Sequence, residues 1–261
     1  MTDFVTSADG TRIAFDRLGE GPPVVLVSGM FCHRESTRAL AERLAHRFTV
    51  VNYDRRGRGE SGDTAPYDVA REIEDLGALI AAVGGRAAVY GHSSGAALAL
   101  NATAAGLPVP RLVLHEPPYG GDGEEEKRSA RELARNVLAA IAEDRRSDAI
   151  KVFMTASGMP PEMAEGPAAD PGMLAVASTM AYDFAVMGNA DTGGTIPEHL
   201  VRAVGVPTLM IAGGASPGFF RETAVRIARL LPDGRYTELE GQDHGAPAEA
   251  VEPVVAEFLA G

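Results

Sequence analysis

Two hydrophobic periods alternate along the first half of the chain. "RIAFDRL" (12–18) and "FVTS" (4–7) switch between apolar and polar residues on either side of the turn "ADGT", as half-buried strands do. "PPVVLVSG" (22–29) is instead one continuous apolar run ending in glycine, which suits a strand covered on both faces of a parallel sheet. Helical spacing follows in "RESTRALAERLAHR" (34–47), then a strand in "FTVVNYD" (48–54) and a glycine-rich turn in "RRGRGESGD" (55–63). The same sequence of elements recurs. "VAREIEDLGALIAAVG" (69–84) has helical spacing, "RAAVYG" (86–91) is a strand, "SGAALALNATAAG" (94–106) is a helix of small residues, and "RLVLHEPP" (111–118) is a further strand. Strands separated by single helices predict βαβ units, a parallel sheet and right-handed crossovers.

After Pro118 the pattern changes. The segment 119–158 is acidic and helical, 159–172 is rich in proline and glycine, and "MLAVASTMAYDFAVMG" (173–188) is apolar almost all round. No strand is evident until "PTLMIAGG" (207–214). The expected division is therefore a core formed by 1–118 and 201–261, with 119–200 inserted as a helical cap. Six of the nine methionines (Met154, Met159, Met163, Met173, Met180 and Met187) fall in the insert. Flexible thioethers fill irregular gaps in a core, and they can equally line an apolar pocket. The end of the chain returns to the alternating pattern: helix (219–234), strand "RYTELEG" (235–241), closing helix (246–261).

Composition narrows the classes of function. At 261 residues, with 45% hydrophobic and 23% charged residues, the chain suits one large globular α/β domain carrying an insertion. A net charge of −12 argues against nucleic acid or an anionic membrane as partner, since both need a basic face. Cys32 is the single cysteine, which excludes an internal disulfide and suits a reducing, cytoplasmic compartment. No signal peptide or membrane span is expected, and nothing indicates an oligomeric state. No cluster of residues has metal-ligand spacing, so no metal or cofactor is expected.

The candidate chemistry centres on "AVYGHSSGAALAL" (88–100). A G-x-S-x-G match arises by chance often enough that only its setting gives it meaning. Here a strand precedes Ser93 and a helix follows it, the setting of a sharp turn that holds a serine hydroxyl above the sheet edge. Without that role, Ser93 would be an ordinary helix cap. A serine needs a general base. His244 follows the last strand, so its loop can overhang the same edge; His92 sits inside the turn and reads as structural, and His46 and His199 read as surface residues.

The chain resembles the α/β-hydrolase fold family. The resemblance rests on four motifs in order: "VLVSGMF" (25–31), "YDRRGRGES" (53–61), "GHSSG" (91–95) and "GQDHGAP" (241–247). It implies a mostly parallel eight-stranded sheet flanked by helices, with Ser93 as nucleophile and His244 as base. It also implies an oxyanion hole built from the backbone N–H groups of Ser94 and Met30, with Gly29 close by; His33, just after that loop, is a candidate substrate contact by its position. One position departs from the family pattern. The acid usually found after the seventh strand is replaced by Ser216, and a serine cannot supply the negative charge that stabilises an imidazolium. Glu116, at the end of the strand expected beside the nucleophile strand, is the candidate acid. This placement is similar to that of the lactone hydrolases that open zearalenone. Other roles remain open, with Glu116 fixing only the turn before Pro117 and Pro118, and Asp243 or Glu222 supplying the charge.

The function expected from these residues is hydrolysis of a carboxylic ester or lactone of a small hydrophobic molecule through an acyl-enzyme. The same serine constellation also serves C–C bond hydrolysis and non-hydrolytic acyltransferases, lyases or cyclases, and a catalytically silent binding protein is a further alternative. The dehalogenases and epoxide hydrolases of this fold use an aspartate nucleophile, so Ser93 argues against both.

Overall fold

A computed structural model describes residues 2–261. Eight strands form one sheet: β1 (Asp3–Thr6), β2 (Arg12–Leu18), β3 (Pro23–Val27), β4 (Thr49–Tyr53), β5 (Ala88–His92), β6 (Leu112–His115), β7 (Thr208–Gly213) and β8 (Gly234–Leu239). Their spatial order is β1-β2-β4-β3-β5-β6-β7-β8. β1 with β2 and β2 with β4 pair antiparallel, and every other pair is parallel. The sheet is therefore mostly parallel and eight-stranded, as the sequence implies.

The topology locates the site. From β3 the chain crosses one way to β4 and then returns past β3 to β5, so the strand order reverses between β3 and β5. At such a switch point the loops leaving the two carboxyl ends diverge and open a crevice. The residues at that crevice are Ser28 to Phe31 after β3 and Ser93 after β5.

Strand alternation divides the core in two. Val24, Leu26, Val50, Ala88, Tyr90, Val113, Leu209 and Ile211 face α1 (Arg38–Leu44) and the C-terminal helix Ala248–Ala260. Their neighbours Val25, Val27, Val51, Val89, Leu112, Leu114 and Met210 face the opposite side. There they meet α2 (Val69–Ala82), α3 (Ser94–Ala104) and the helix Gly218–Leu230. Burial on both faces is why these strands read as continuous apolar runs. α2 begins where the Asp68 carboxylate accepts the Ala70 N–H at 2.7 Å, a cap that satisfies one free donor of the first turn.

Between β6 and β7 the chain forms α4 (Glu124–Ala142), α5 (Arg146–Ala156), α6 (Glu165–Ala169), α7 (Pro171–Val176), α8 (Met180–Met187), α9 (Asn189–Thr192) and α10 (Glu198–Ala203). Continuing in chain order, Gly218–Leu230 is α11 and Ala248–Ala260 is α12. The sequence between 34 and 47 reads as one helix but splits: Arg34–Thr37 is a 3₁₀ turn and only Arg38–Leu44 is α-helical. The cause lies on another element: Asn52 Nδ2 donates to Arg34 O at 2.7 Å and holds the first turn against β4. The acidic helical segment is likewise two helices, broken at Asp144, whose φ is 55°. Met180 and Met187 are buried in the insert's core, Met154 and Met173 are half-buried against it, and Met163 is exposed. Among the described residues, no helix is long and apolar enough to cross a membrane.

Candidate active site

Three elements deliver Ser93, Glu116 and His244 to one edge of the sheet. Ser93 lies between β5 and α3 with φ 55° and ψ −127°. An L-residue enters that region only at a cost of about 1–3 kcal/mol. The surroundings hold it there: Ser93 N donates to His115 O at 2.9 Å, and α3 begins at the next residue. Glycine is required on both sides. A Cβ at Gly91 would lie 2.6 Å from Ala96 Cα, and one at Gly95 would lie 2.6 Å from Ser28 O. The turn is thus compressed between α3 and the loop after β3.

Glu116 directly follows β6 and also has positive φ, 49°. Its Oε1 accepts the Gly213 N–H at 2.7 Å and its Oε2 meets His244 Nδ1 at 2.5 Å. The carboxylate is fully buried, whereas the His244 side chain is 37% exposed. Burial raises the Glu116 pKa, but hydrogen bonding to His244 and to the Gly213 N–H, with the nearby Ser216 hydroxyl, outweighs burial and holds it below the usual carboxylate range. Ser216 stands where an acid was expected. Its hydroxyl is buried beside this carboxylate but lacks a well-formed hydrogen bond to it. His244 pairs with Glu116 and with neither other candidate acid: Asp243 accepts the Gly245 N–H at 2.9 Å, and Glu222 lies within α11.

The His244 imidazole is held by packing as well. Phe220 stacks on it with ring centroids 4.6 Å apart and planes 17° apart, and the His92 ring lies 4.7 Å away. His92 Nε2 bonds His244 O at 3.0 Å, consistent with a structural role. Burial, reinforced by repulsion from His244, pushes the His92 pKa down to about 4. His115 is buried behind His92, with Nδ1 bonded to the Tyr90 hydroxyl at 2.8 Å.

The remaining predicted residues line the loop after β3. Gly29 is pressed against the nucleophile turn, since a Cβ there would lie 2.9 Å from Ser93 Cβ. The N–H groups of Met30 and Ser94 have no acceptor among the described residues. His33 Nδ1 accepts the Glu35 N–H at 3.3 Å and caps the turn Arg34–Thr37. Phe31 is a third strained residue, with φ 61°, and its ring packs 5.7 Å from Phe153 of α5. Among the described residues, three of the four positive-φ non-glycine residues (Phe31, Ser93 and Glu116) lie in the segments that follow β3, β5 and β6 at the carboxyl edge of the sheet.

Sequence reasoning missed two features. One is the aromatic support from Phe220. The other is a buried ionic network beneath the site. Arg55 binds Glu72 in a two-pronged pair at 2.7 and 2.8 Å and reaches Asp183 of α8 at 2.6 Å, while Arg58 reaches Asp183 at 2.7 Å. Two guanidinium groups and two carboxylates balance in charge, without which burying any one of them would be prohibitive. Burial raises the Asp183 pKa, but Arg58 and Arg55 more than reverse this and hold it below the ordinary range. Asp183 was visible in the sequence as the lone charge within "MLAVASTMAYDFAVMG".

A half-buried serine on a strained turn, an imidazole bonded to a buried carboxylate and two N–H groups without an acceptor stand at one sheet edge, the set of groups that acyl transfer uses. The class is matched by descent. Residues 24–257 fit the model of the alpha/beta hydrolase family, and the chain belongs to that family. An alpha/beta hydrolase from Sphaerobacter thermophilus is 48% identical, with 98% of this chain and 100% of that one aligned at a TM-score of 0.86. A hydrolase from Pseudomonas aeruginosa shares the fold at 23% identity and TM-score 0.75, covering 100% of this chain and 98% of that one. The N-formylmaleamate deformylase of Pseudomonas putida is 38% identical over 132 residues, or 47% of this chain. That match spans about half, 49%, of the deformylase.

Proposed function

We propose that the protein is a serine hydrolase that cleaves a carboxylic ester or lactone of a small hydrophobic molecule through an acyl-enzyme. The observation that carries this reading is the 2.5 Å contact between His244 Nδ1 and the buried Glu116 carboxylate. It fixes the tautomer that leaves Nε2 free as a base. His244 takes the Ser93 proton as the hydroxyl oxygen attacks the carbonyl carbon. The resulting oxyanion is received by the N–H groups of Met30 and Ser94. His244 then gives its proton to the departing alcohol, and a water activated by the same nitrogen releases the acid and regenerates Ser93. Preorganised donors contribute most where charge develops, and losing one costs about 3–4 kcal/mol.

The helical insertion serves as the cap of the site. Phe31 beside Met30, Phe153 of α5 and Phe184 of α8 form a connected aromatic cluster, with Met154 packed nearby. These side chains support an apolar acyl group, and no cofactor takes part in the mechanism. A second reading is favoured by the likeness to N-formylmaleamate deformylase: here the same steps by Ser93 and His244 would cleave the C–N bond of an N-formyl amide and release the amine.

The test is hydrolysis of p-nitrophenyl esters from acetate to decanoate by wild type, Ser93→Ala and Glu116→Gln, with an N-formyl amide alongside. Turnover by wild type and a loss of about 10³-fold or more in Ser93→Ala are expected. Wild type that cleaves only the amide selects the second reading. Wild type that cleaves neither, or a Ser93→Ala protein that stays active, rejects both.

A further inference from the structure

We infer that Asp183, on helix α8 of the insertion, is a positioning residue that sets both oxyanion-hole donors at once, through Arg58 on one side and the Ser94 side chain on the other. The inference rests on the reading of Met30 and Ser94 as those donors.

The first arm runs through Arg58. Asp183 Oδ2 accepts from Arg58 Nη2 at 2.7 Å, and Arg58 Nη1 donates to Gly29 O at 2.6 Å and to Cys32 O at 3.2 Å. Gly29 O belongs to the same peptide unit as Met30 N–H. In a trans peptide the C=O and N–H point in opposite directions. A guanidinium clamped on the oxygen therefore fixes the N–H to aim away from Arg58. The Cys32 N–H, at 3.3 Å, holds the same oxygen from within the loop. Without Arg58, the Gly29–Met30 peptide would be held only by that longer Cys32 bond, and Gly29 has no side chain to resist rotation.

The second arm is direct. The Ser94 hydroxyl donates to Asp183 Oδ1 at 2.7 Å, so the residue carrying the other donor is tied to the same carboxylate. Asp183, Arg55 and Arg58 are all 0–1% exposed. Low polarity and the absence of competing water make each of these bonds stiff. Thr179, just before α8, adds a further contact by accepting from Arg58 Nε at 3.0 Å. The insertion thus reaches beneath the site to its working peptides, and the hole is complete only while α8 is docked.

The experiment compares wild type, Asp183→Asn and Ser94→Ala, each corrected for competent sites by burst titration with a p-nitrophenyl ester, with Ser93→Ala, normalised to total protein, as the nucleophile control. Steady-state kinetics are measured on p-nitrophenyl butyrate. Binding is measured for an alkyl trifluoromethyl ketone, which forms a tetrahedral oxyanion on the serine, and for butyrate, which does not. Asp183→Asn should lose roughly 30–300-fold in kcat with KM little changed, approaching the loss of one donor. Ser94→Ala, which leaves every ion pair intact, should lose roughly 3–10-fold. Affinity for the ketone should fall in step with kcat/KM while butyrate affinity stays within twofold. A merely structural role would lower the number of competent sites and leave the per-site rate and ketone affinity alone, which overturns the inference. Should Asp183→Asn fail to fold, Ser94→Ala decides by the same criteria. If Ser93→Ala is inactive and the other two variants match wild type, only the role of Asp183 is lost. If Ser93→Ala remains active, the hydrolase reading falls and this inference with it.

Discussion

Glu116 meets His244 at 2.5 Å from the end of β6, one strand closer to Ser93 than the end of β7, where Ser216 stands. The carboxylate has moved sideways by one strand while the imidazole it serves has stayed in the loop after β8. Its second oxygen reaches back to Gly213 N, at the end of β7, so the acid bridges the two strand ends.

This relocation predicts a rescue. Glu116→Gln keeps an oxygen for the Gly213 N–H but removes the charge, and should lower kcat by roughly 10²–10⁴-fold. Adding Ser216→Asp returns a carboxylate to the neighbouring strand end and should recover roughly tenfold or more of that loss. The measurement is kcat for the single and double variants on whichever substrate wild type turns over. A double variant no better than Glu116→Gln would mean that the β7 position cannot reach His244.

Much of this arrangement was legible because it follows from short-range rules. Continuous apolar runs mark strands buried on both faces, and the glycines around Ser93 mark a turn too tight for side chains. Glu116 could be placed because β6 neighbours β5, so the ends of adjacent parallel strands share an edge. What could not be read depended on contacts across long stretches of sequence. Asp183 lies 125 residues from Arg58 and 89 from Ser94, and no periodicity links them. The cap that His33 Nδ1 makes on the turn after β3 likewise carries no mark in the spacing. The 3₁₀ start of the helix after β3 escaped notice because Asn52, on another element, decides it.

Two histidines, His92 half-buried and His115 buried, give the fold an acid sensitivity. The His92 pKa is about 4 in the folded protein against 6.5 when free. The unfolded chain therefore binds this proton more tightly. Stability is full above pH 6.5, falls as pH drops from 6.5 towards 4, and changes no further through this group below that. The total is about 3 kcal/mol. Burial likewise holds His115 well below its ordinary value, so it adds to the same fall. His92→Gln can keep a donor toward His244 O and should flatten the pH dependence of urea unfolding between pH 6.5 and 4. Identical slopes in wild type and variant would rule out this origin.

Two glycine replacements should have opposite signs. A Cβ at Gly95 presses on Val27 O and Ser28 O, which are backbone atoms that cannot rotate away. Gly95→Ala should cost about 3 kcal/mol or more, lowering Tm by about 6–12 °C. Gly77 lies inside α2, and its added Cβ would meet only Leu107 Cδ2 at an ordinary 3.6 Å. Gly77→Ala should raise stability by about 0.5–1 kcal/mol, because glycine is the poorer helix former. Calorimetry of the two variants checks both directions.

Phe220 offers a last test of how His244 is held. The bond to Glu116 fixes one atom of the imidazole, which still leaves the ring free to rock about that contact. The Phe220 ring, 4.6 Å away and nearly parallel, removes this freedom and also presents its π-face to the positive charge that His244 gains during the proposed reaction. Phe220→Leu keeps an apolar side chain of similar burial but loses both effects. At about 0.5–1.5 kcal/mol for an aromatic contact of this kind, kcat should fall by roughly 2–10-fold. KM should change little, since the loss is greatest where charge develops. Phe219 stacks on Phe220 but is 44% exposed and one ring further from His244, so Phe219→Leu should stay within about twofold of wild type. If the two variants lose activity equally, the effect comes from the α11 surface as a whole and not from the ring that faces the imidazole.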